Sequence, residues 1–161
     1  MVDQKTSIAQ MNERTVNIVR VFDAPRALVW QAWTDPTMMA QWFGPRGFTI
    51  PLCELEVRVG GSLRIVMRGP DGNEYPMKGV FREVVAPERL VFGNIAIDQD
   101  GNHLLEGETI VTFAEQAGKT TLTLKTHAVG RVPIAKQMLA GMEAGWTQSI
   151  DKLEKRLARA G

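Results

Sequence analysis

The sequence predicts an α+β fold in which a seven-stranded antiparallel sheet grips a long C-terminal helix. Two observations support this prediction. Roughly eighty residues after Gly47 alternate apolar and polar side chains between short turn segments, which is typical of antiparallel strands. The last segment instead repeats apolar residues at helical spacing. Because the apolar face of such a sheet has to be covered, the terminal helix is the element expected to cover it.

Size and composition indicate one ordinary domain. The chain has 161 residues, of which 44% are hydrophobic and 23% charged, and its formal net charge is +1. These values exclude disordered and collagen-like chains. The near-neutral net charge gives no indication of nucleic-acid binding. The one cysteine cannot form an internal disulfide. The polar N-terminus lacks the apolar run of a signal peptide. No segment approaches the ~18 consecutive apolar residues of a membrane span. We therefore expect a cytoplasmic protein with no nucleic-acid or membrane partner.

The chain is expected to begin with an arm and one strand. Residues 1–14 show no periodicity and predict a flexible N-terminal arm, which leaves a single domain over residues 15–161. Residues 15–22 are rich in β-branched side chains, which favour an extended strand.

Two short helices should follow this strand. Asp23 or Ala24 would cap the first helix, with Pro25 in its first turn, where a missing N–H costs nothing. Pro36 should start a second helix that runs to about residue 42, and Gly44, which can adopt positive φ, should end it.

The remaining strands are separated by turn sequences such as Gly60-Gly61, and their short links favour hairpins. In one strand Leu63, Ile65 and Met67 share a face and Arg64 and Arg68 share the other. The sheet should therefore have one apolar and one wet face. The predicted strands cover residues 51–58, 62–69, 74–85, 89–97, 106–115 and 119–128.

A helix over about residues 132–158 should end the chain. The middle of its apolar stripe holds Gly145 and Ser149, flanked by Met138 and Met142. Gly141 and Gly145 would each cost about 1 kcal/mol relative to alanine inside a helix. That cost has to be offset by a closely packed neighbour or by volume kept open for a ligand, so a dry core, a ligand cavity and a partner surface all remain open. The full stripe is Ile134, Met138, Met142, Trp146, Ile150, Leu153 and Leu157.

Five short motifs stand in order along the chain: residues 24–36 (APRALVWQAWTDP), residues 41–45 (QWFGP), Gly60-Gly61, residues 79–92 (GVFREVVAPERLVF), and Gly145-Trp146 with Leu153 beyond. Together they resemble the AHSA-type domains, which are named for the C-terminal domain of the activator of the heat-shock-protein-90 ATPase. The resemblance covers about residues 15–158.

The resemblance implies a helix-grip fold of the START-like (SRPBCC) superfamily, with a deep cavity between the sheet and the long helix. Members of that superfamily bind or transform varied apolar small molecules, and the family name suggests a link to chaperones and stress response. The residues expected to surround such a cavity are Trp33, Trp42, Phe43, Met67, Met77, Phe81, Phe92, Phe113, Met138, Met142, Gly145 and Trp146.

Other reactive side chains give weaker signals. His103 and Glu106 are three residues apart but follow a turn without further metal ligands, so a solvated loop is expected. His127 at a strand end is expected on the surface, and Cys53 is expected to be a buried, inert thiol. We expect no metal and no cofactor, and the sequence identifies no catalytic residue.

Three functions remain open at this point. The leading hypothesis is a domain that binds a hydrophobic or amphipathic small molecule. The second is an enzyme that uses the same cavity for cyclisation, dehydration or hydrolysis, which requires an inward-facing acid, base or donor. The third is a chaperone-linked interaction module, which requires an exposed apolar patch. A homodimer is compatible with each of them.

Overall fold

The structure is a computed structural model that describes residues 12–160. One seven-stranded sheet has the strand order β1-β7-β6-β5-β4-β3-β2, and every neighbouring pair is antiparallel. The predicted fold class is therefore confirmed. The elements are β1 (Glu13–Phe22), α1 (Arg26–Thr34), α2 (Pro36–Met39), β2 (Thr49–Leu55), β3 (Ser62–Arg68), β4 (Glu74–Val85), β5 (Arg89–Ile97), β6 (His103–Gln116), β7 (Lys119–Gly130), α3 (Ala135–Ala140) and α4 (Met142–Ala160).

The strand predictions agree closely with these bounds. β4 and β5 have the predicted limits, whereas β6 already begins at His103 and β7 continues to Gly130. β1 begins at Glu13, so the last two positions of the expected arm are paired with β7, as Glu13 is with Val129. The rest of that arm, residues 1–11, lies outside the described residues.

The start of α1 differs from the prediction. Pro25 itself is the N-cap, in an extended conformation, and no side chain caps the helix. Its carbonyl accepts hydrogen bonds from the amides of Leu28 and Val29 at 3.0 and 3.2 Å. Capping by Asp23 or Ala24 is thus wrong, because the extended Pro25 places both residues outside the first turn.

Helix α2 starts as expected but is shorter. The Asp35 carboxylate accepts from the amides of Thr37 and Met38 at 2.8 and 3.2 Å, which satisfies free donors of the first turn. The helix ends at Met39 instead of about residue 42, since the amides of Gln41 and Trp42 bond three residues back and tighten the chain into turns. Gly44 then adopts a φ of +92°.

The predicted single C-terminal helix is interrupted. Gly141 ends α3, and α4 starts at Met142. Glycine has the weakest helix propensity after proline, so the break falls where the sequence resists it least. The helix also begins later than predicted: Ile134 precedes α3 and is 57% exposed, so it does not belong to the buried stripe. Within residues 12–160 no helix is long and apolar enough to cross a membrane.

The inner face of the sheet is divided along its length. One half is densely packed beneath α1, α2 and the C-terminal half of α4. The buried side chains of this core include Trp33, Trp42, Leu63, Ile65, Phe81, Leu90, Phe92, Val111, Phe113, Leu122, Leu124, Ile150, Leu153 and Leu157.

The other half of the inner face carries small side chains on its central strands. Asn94, Gly107 and Ala128 lie directly opposite one another across β5, β6 and β7. At Gly107 a Cβ would lie 2.3 Å from the carbonyl oxygen of His127, so the close approach of the two backbones requires glycine. This half is therefore recessed relative to the packed core.

Gly107→Ala and Gly141→Ala should change stability in opposite directions. The alanine methyl at position 107 meets backbone, which we expect to cost about 1–3 kcal/mol. At position 141 the nearest atoms are the preceding turn's own carbonyl oxygens at 3.8 and 4.0 Å, and alanine should add up to about 1 kcal/mol. Urea unfolding measures both changes, and a neutral Gly107→Ala would contradict the close approach.

Candidate ligand cavity

A cavity of about 270 Å³ lies between the recessed half of the sheet and the helices α3 and α4. It is partly open to solvent, and its lining is predominantly carbon. The lining residues are Phe43, Gly44, Pro45, Phe48, Met67, Tyr75, Pro76, Met77, Asn94, Ala96, Leu105, Thr126, Ala128, Met138, Gly141, Met142, Gly145, Trp146 and Ser149.

The helix glycines border this open volume. A Cβ at Gly145 would meet only Pro45 Cγ, at an ordinary contact distance of 3.5 Å. At Gly141 it would meet no atom of another element within 4 Å. The hydroxyl of Ser149 donates to the carbonyl oxygen of Gly145 at 2.9 Å, which keeps this side chain against its own helix. The glycines therefore leave space and do not admit a closely packed strand.

An aromatic wall separates the cavity from the core. Trp146 stacks on Trp33 with a centroid distance of 6.1 Å and an interplanar angle of 13°. Trp33 in turn packs on Trp42 at 4.8 Å, and Phe43 meets Trp146 edge-to-face at 5.6 Å. The half-buried Trp146 has one face on the core cluster and also lines the cavity.

The structure divides the sequence-predicted cavity residues into two sets. Those around the cavity are Phe43, Met67, Met77, Met138, Met142, Gly145 and Trp146. Those packed in the core are Trp33, Trp42, Phe81, Phe92 and Phe113, each at most 2% exposed.

Two polar lining residues were not singled out from the sequence. Asn94 follows Phe92 by two positions on β5, and Thr126 follows Leu124 by two positions on β7. Since alternate residues of a strand share a face, extending the apolar alternation by one step would have placed both on the inner face. Both are polar, whereas the sequence-predicted lining consists of aromatic residues, methionines and glycine.

Buried hydroxyl and amide groups connect across these strands. Thr109 Oγ1 donates to Asn94 Oδ1 at 3.0 Å and lies 2.8 Å from Thr126 Oγ1. Both threonines are 0% exposed, so this arrangement satisfies polar groups that would otherwise be costly to bury. The three side chains form a polar line on the inner face of the sheet, and two of them, Asn94 and Thr126, line the cavity.

The lining has no carboxylate, imidazole, thiol, ammonium or guanidinium group among the described residues, and Tyr75 is its only titratable side chain. Lys152 is close by, but its ammonium lies 3.5 and 3.3 Å from the carbonyl oxygens of Phe43 and Pro45. Partial burial lowers the pKa of Lys152 from its usual value. Its hydrogen bonds are to the backbone of the loop that forms one cavity wall.

This wall loop, residues 43–48, is held to α4 at several points. Besides Lys152, Gln148 Oε1 accepts from the amide of Arg46 at 3.0 Å, and the Arg46 guanidinium lies 3.2 Å from Asp151 Oδ2. Asp151 also pairs with Arg20 of β1 at 2.8 Å. One carboxylate thus joins the loop, the helix and the edge strand.

The remaining reactive side chains lie away from the cavity. His103 Nδ1 is 2.8 Å from Glu106 Oε1, at the start of β6 and not in a loop, and Glu106 also pairs with Arg131. The hydrogen bonds from His103 and Arg131 lower the pKa of Glu106. His127 Nδ1 lies 2.7 Å from Thr15 Oγ1. No cluster of three or more potential metal-ligating side chains occurs in the described part of the chain.

A C-terminal helical segment closing a cavity over a curved antiparallel sheet is the helix-grip arrangement of α+β domains. Residues 23–158 match the family described as activator of Hsp90 ATPase homolog 1-like protein, and the chain belongs to this family. The resemblance noted in the sequence is thereby confirmed. Among curated proteins, none matches this chain.

Solved structures support the same assignment. The AHSA1 protein from Silicibacter pomeroyi is 25% identical, with a TM-score of 0.78 over 92% of this chain and 100% of that chain. A protein from Arthrobacter aurescens is 27% identical, with a TM-score of 0.77 over 90% and 86% of the two chains. A protein from Chromobacterium violaceum is 25% identical, with a TM-score of 0.75 over 89% and 96%.

Cys53 should react slowly with thiol reagents. Desolvation, with a smaller effect from the charge of Asp35, raises the pKa of this half-buried thiol from 9.0 to about 11. Since only the thiolate reacts, the rate with an aromatic disulfide reagent at pH 8 should be about a hundredfold below that of the urea-unfolded chain. The rate should continue to rise between pH 9 and pH 11. Equal rates for the folded and unfolded chains would contradict the raised pKa.

Proposed function

We propose that this protein binds a small hydrophobic or amphipathic molecule in the cavity between the sheet and the C-terminal helices. The supporting observation is the volume left open beneath Gly141 and Gly145, which meets an inner sheet face of small side chains. A well-packed interior rarely leaves a void of this size, because empty volume is destabilising. An apolar cavity with a few polar groups is the usual form of a small-molecule site.

The size of the cavity limits the ligand. Its volume of about 270 Å³ lies just below the range of roughly 300–1,000 Å³ typical of ligand pockets. An apolar cavity of about 150 Å³ is large enough for a benzene ring. A compact molecule of one or two fused rings therefore fits better than a long lipid chain.

The other two hypotheses have less support. A hydrolase or cyclase would use an inward-facing acid or base, and among the described lining residues the only titratable group is the phenol of Tyr75, a side chain that is 40% exposed. The family name links these proteins to Hsp90, but the large apolar side chains that are exposed lie on separate elements. These exposed residues are Val19 and Val21 on β1, Val59 between β2 and β3, Tyr75, Val80 and Val85 on β4, and Ile134 before α3.

Filling the cavity from α4 should weaken binding. Tetralin, a neutral bicyclic hydrocarbon, serves as the probe, and its binding can be followed by calorimetry and by tryptophan fluorescence, to which the cavity-lining Trp146 contributes. We expect Gly145→Leu to weaken tetralin binding about tenfold or more, since overfilling a packed site costs about 1–3 kcal/mol. The matched control is Ala144→Leu, which adds the same side chain to the exposed face of the same helix.

The two variants separate occupation of the cavity from a general effect on the helix. Ala144→Leu should bind tetralin like the wild type, and circular dichroism should show that both variants keep their fold. If tetralin does not bind to the wild-type protein, or binds equally to all three proteins, the proposal is wrong.

A further inference from the structure

The hydrogen bonds that join Thr126, Thr109 and Asn94 run in one direction. A threonine hydroxyl carries one hydrogen, and that of Thr109 is donated to Asn94 Oδ1. The 2.8 Å contact between the two threonine hydroxyls is therefore donated by Thr126 to Thr109. Thr126 thus donates to Thr109, and Thr109 donates to the carbonyl oxygen of the Asn94 amide.

This direction leaves the amide nitrogen of Asn94 available. Its Oδ1 is occupied by Thr109, while none of the hydrogen bonds found in residues 12–160 uses its Nδ2. Asn94 lines the cavity and is half-buried, which places its amide group at the open volume. Its Nδ2 is not fully buried, so the donor is reachable, and a ligand that covered it without accepting from it would raise the free energy of the complex.

The charges of the site define what kind of acceptor fits. No ionised side chain of the described residues lines the cavity, so a carboxylate or phosphate on the ligand would lose its hydration without gaining a counter-charge. A neutral ketone, ester or ether oxygen would lose less and would gain a hydrogen bond from the amide.

We propose that the cavity selects uncharged, largely apolar molecules that carry an acceptor oxygen, and that Asn94 Nδ2 donates a hydrogen bond to this oxygen. The inference rests on the proposed function and specifies the ligand chemistry of the same site. Thr109 is a positioning residue here: by holding Oδ1 it turns the amide nitrogen toward the ligand.

Two matched probes test this proposal. Tetralin and 1-tetralone have the same bicyclic framework and differ by the carbonyl oxygen. Their dissociation constants are measured for the wild type, for Asn94→Leu, which keeps the branched shape of the side chain without a donor, and for Asn17→Leu, the same substitution on the exposed outer face of β1. The ratio of the two constants within one protein removes effects that are common to both probes, such as a change in stability.

The ratio should change only in Asn94→Leu. We expect the preference for 1-tetralone over tetralin to fall about fivefold relative to the wild type, the effect of losing one neutral hydrogen bond, and to be unchanged in Asn17→Leu. If tetralin binds and the ratio stays the same in Asn94→Leu, the selection by Asn94 is overturned while the proposed function stands. If neither probe binds to the wild type, both proposals fail.

A second measurement does not depend on the folding of Asn94→Leu. In the wild-type protein, 1-tetralone should shift the side-chain amide proton resonances of Asn94 downfield in an ¹⁵N–¹H correlation spectrum, whereas tetralin should leave them near their original positions. Equal shifts with both probes would show that the amide senses the presence of a ligand and not its oxygen, and would overturn the proposal.

Discussion

The attachment of α4 at its C-terminal half determines where the cavity lies. Ile150, Leu153 and Leu157 are buried in the core, and Arg20 of β1 pairs with Asp151 and Glu154 at 2.8 and 2.9 Å. The helix is thus fixed at one end against a densely packed surface. Because a helix is rigid over this length, the attachment of its C-terminal half also determines how far its N-terminal half lies above the sheet.

The space below that raised half is maintained from both sides. The helix contributes glycines at its inner surface, and the sheet contributes Ala96, Gly107 and Ala128. Large residues at the same positions would have continued the core to the end of the molecule. The methionines at the border, such as Met67 and Met142, are flexible enough to adapt to differently shaped contents.

The sequence predicted the strands better than the helices for a physical reason. Strand alternation is local and repeats every two residues, so β4 and β5 could be placed by inspection. The break at Gly141 depends on a small free-energy difference that a helical wheel ignores. Met138 and Met142 still lie beside Gly145 at the cavity, because the break changes the helix only slightly.

Which apolar residues surround the cavity could be predicted only in part. Phe81 and Met77 lie on the same face of β4, yet one is in the core and the other is at the cavity. The difference arises from where α4 crosses the sheet, which no pattern within β4 records. Asn94 and Thr126, in contrast, follow from strand alternation once polar residues are allowed on the inner face.

The two helix glycines have a consequence for how this protein could be made more heat-resistant. Replacing glycine in a helix and filling voids are among the commonest stabilising substitutions, and Gly141 and Gly145 offer both at once. Selection for thermal stability alone would favour substitutions at these positions. Larger side chains there would stabilise the protein but fill its cavity. The two glycines therefore keep the cavity open at a cost in thermal stability.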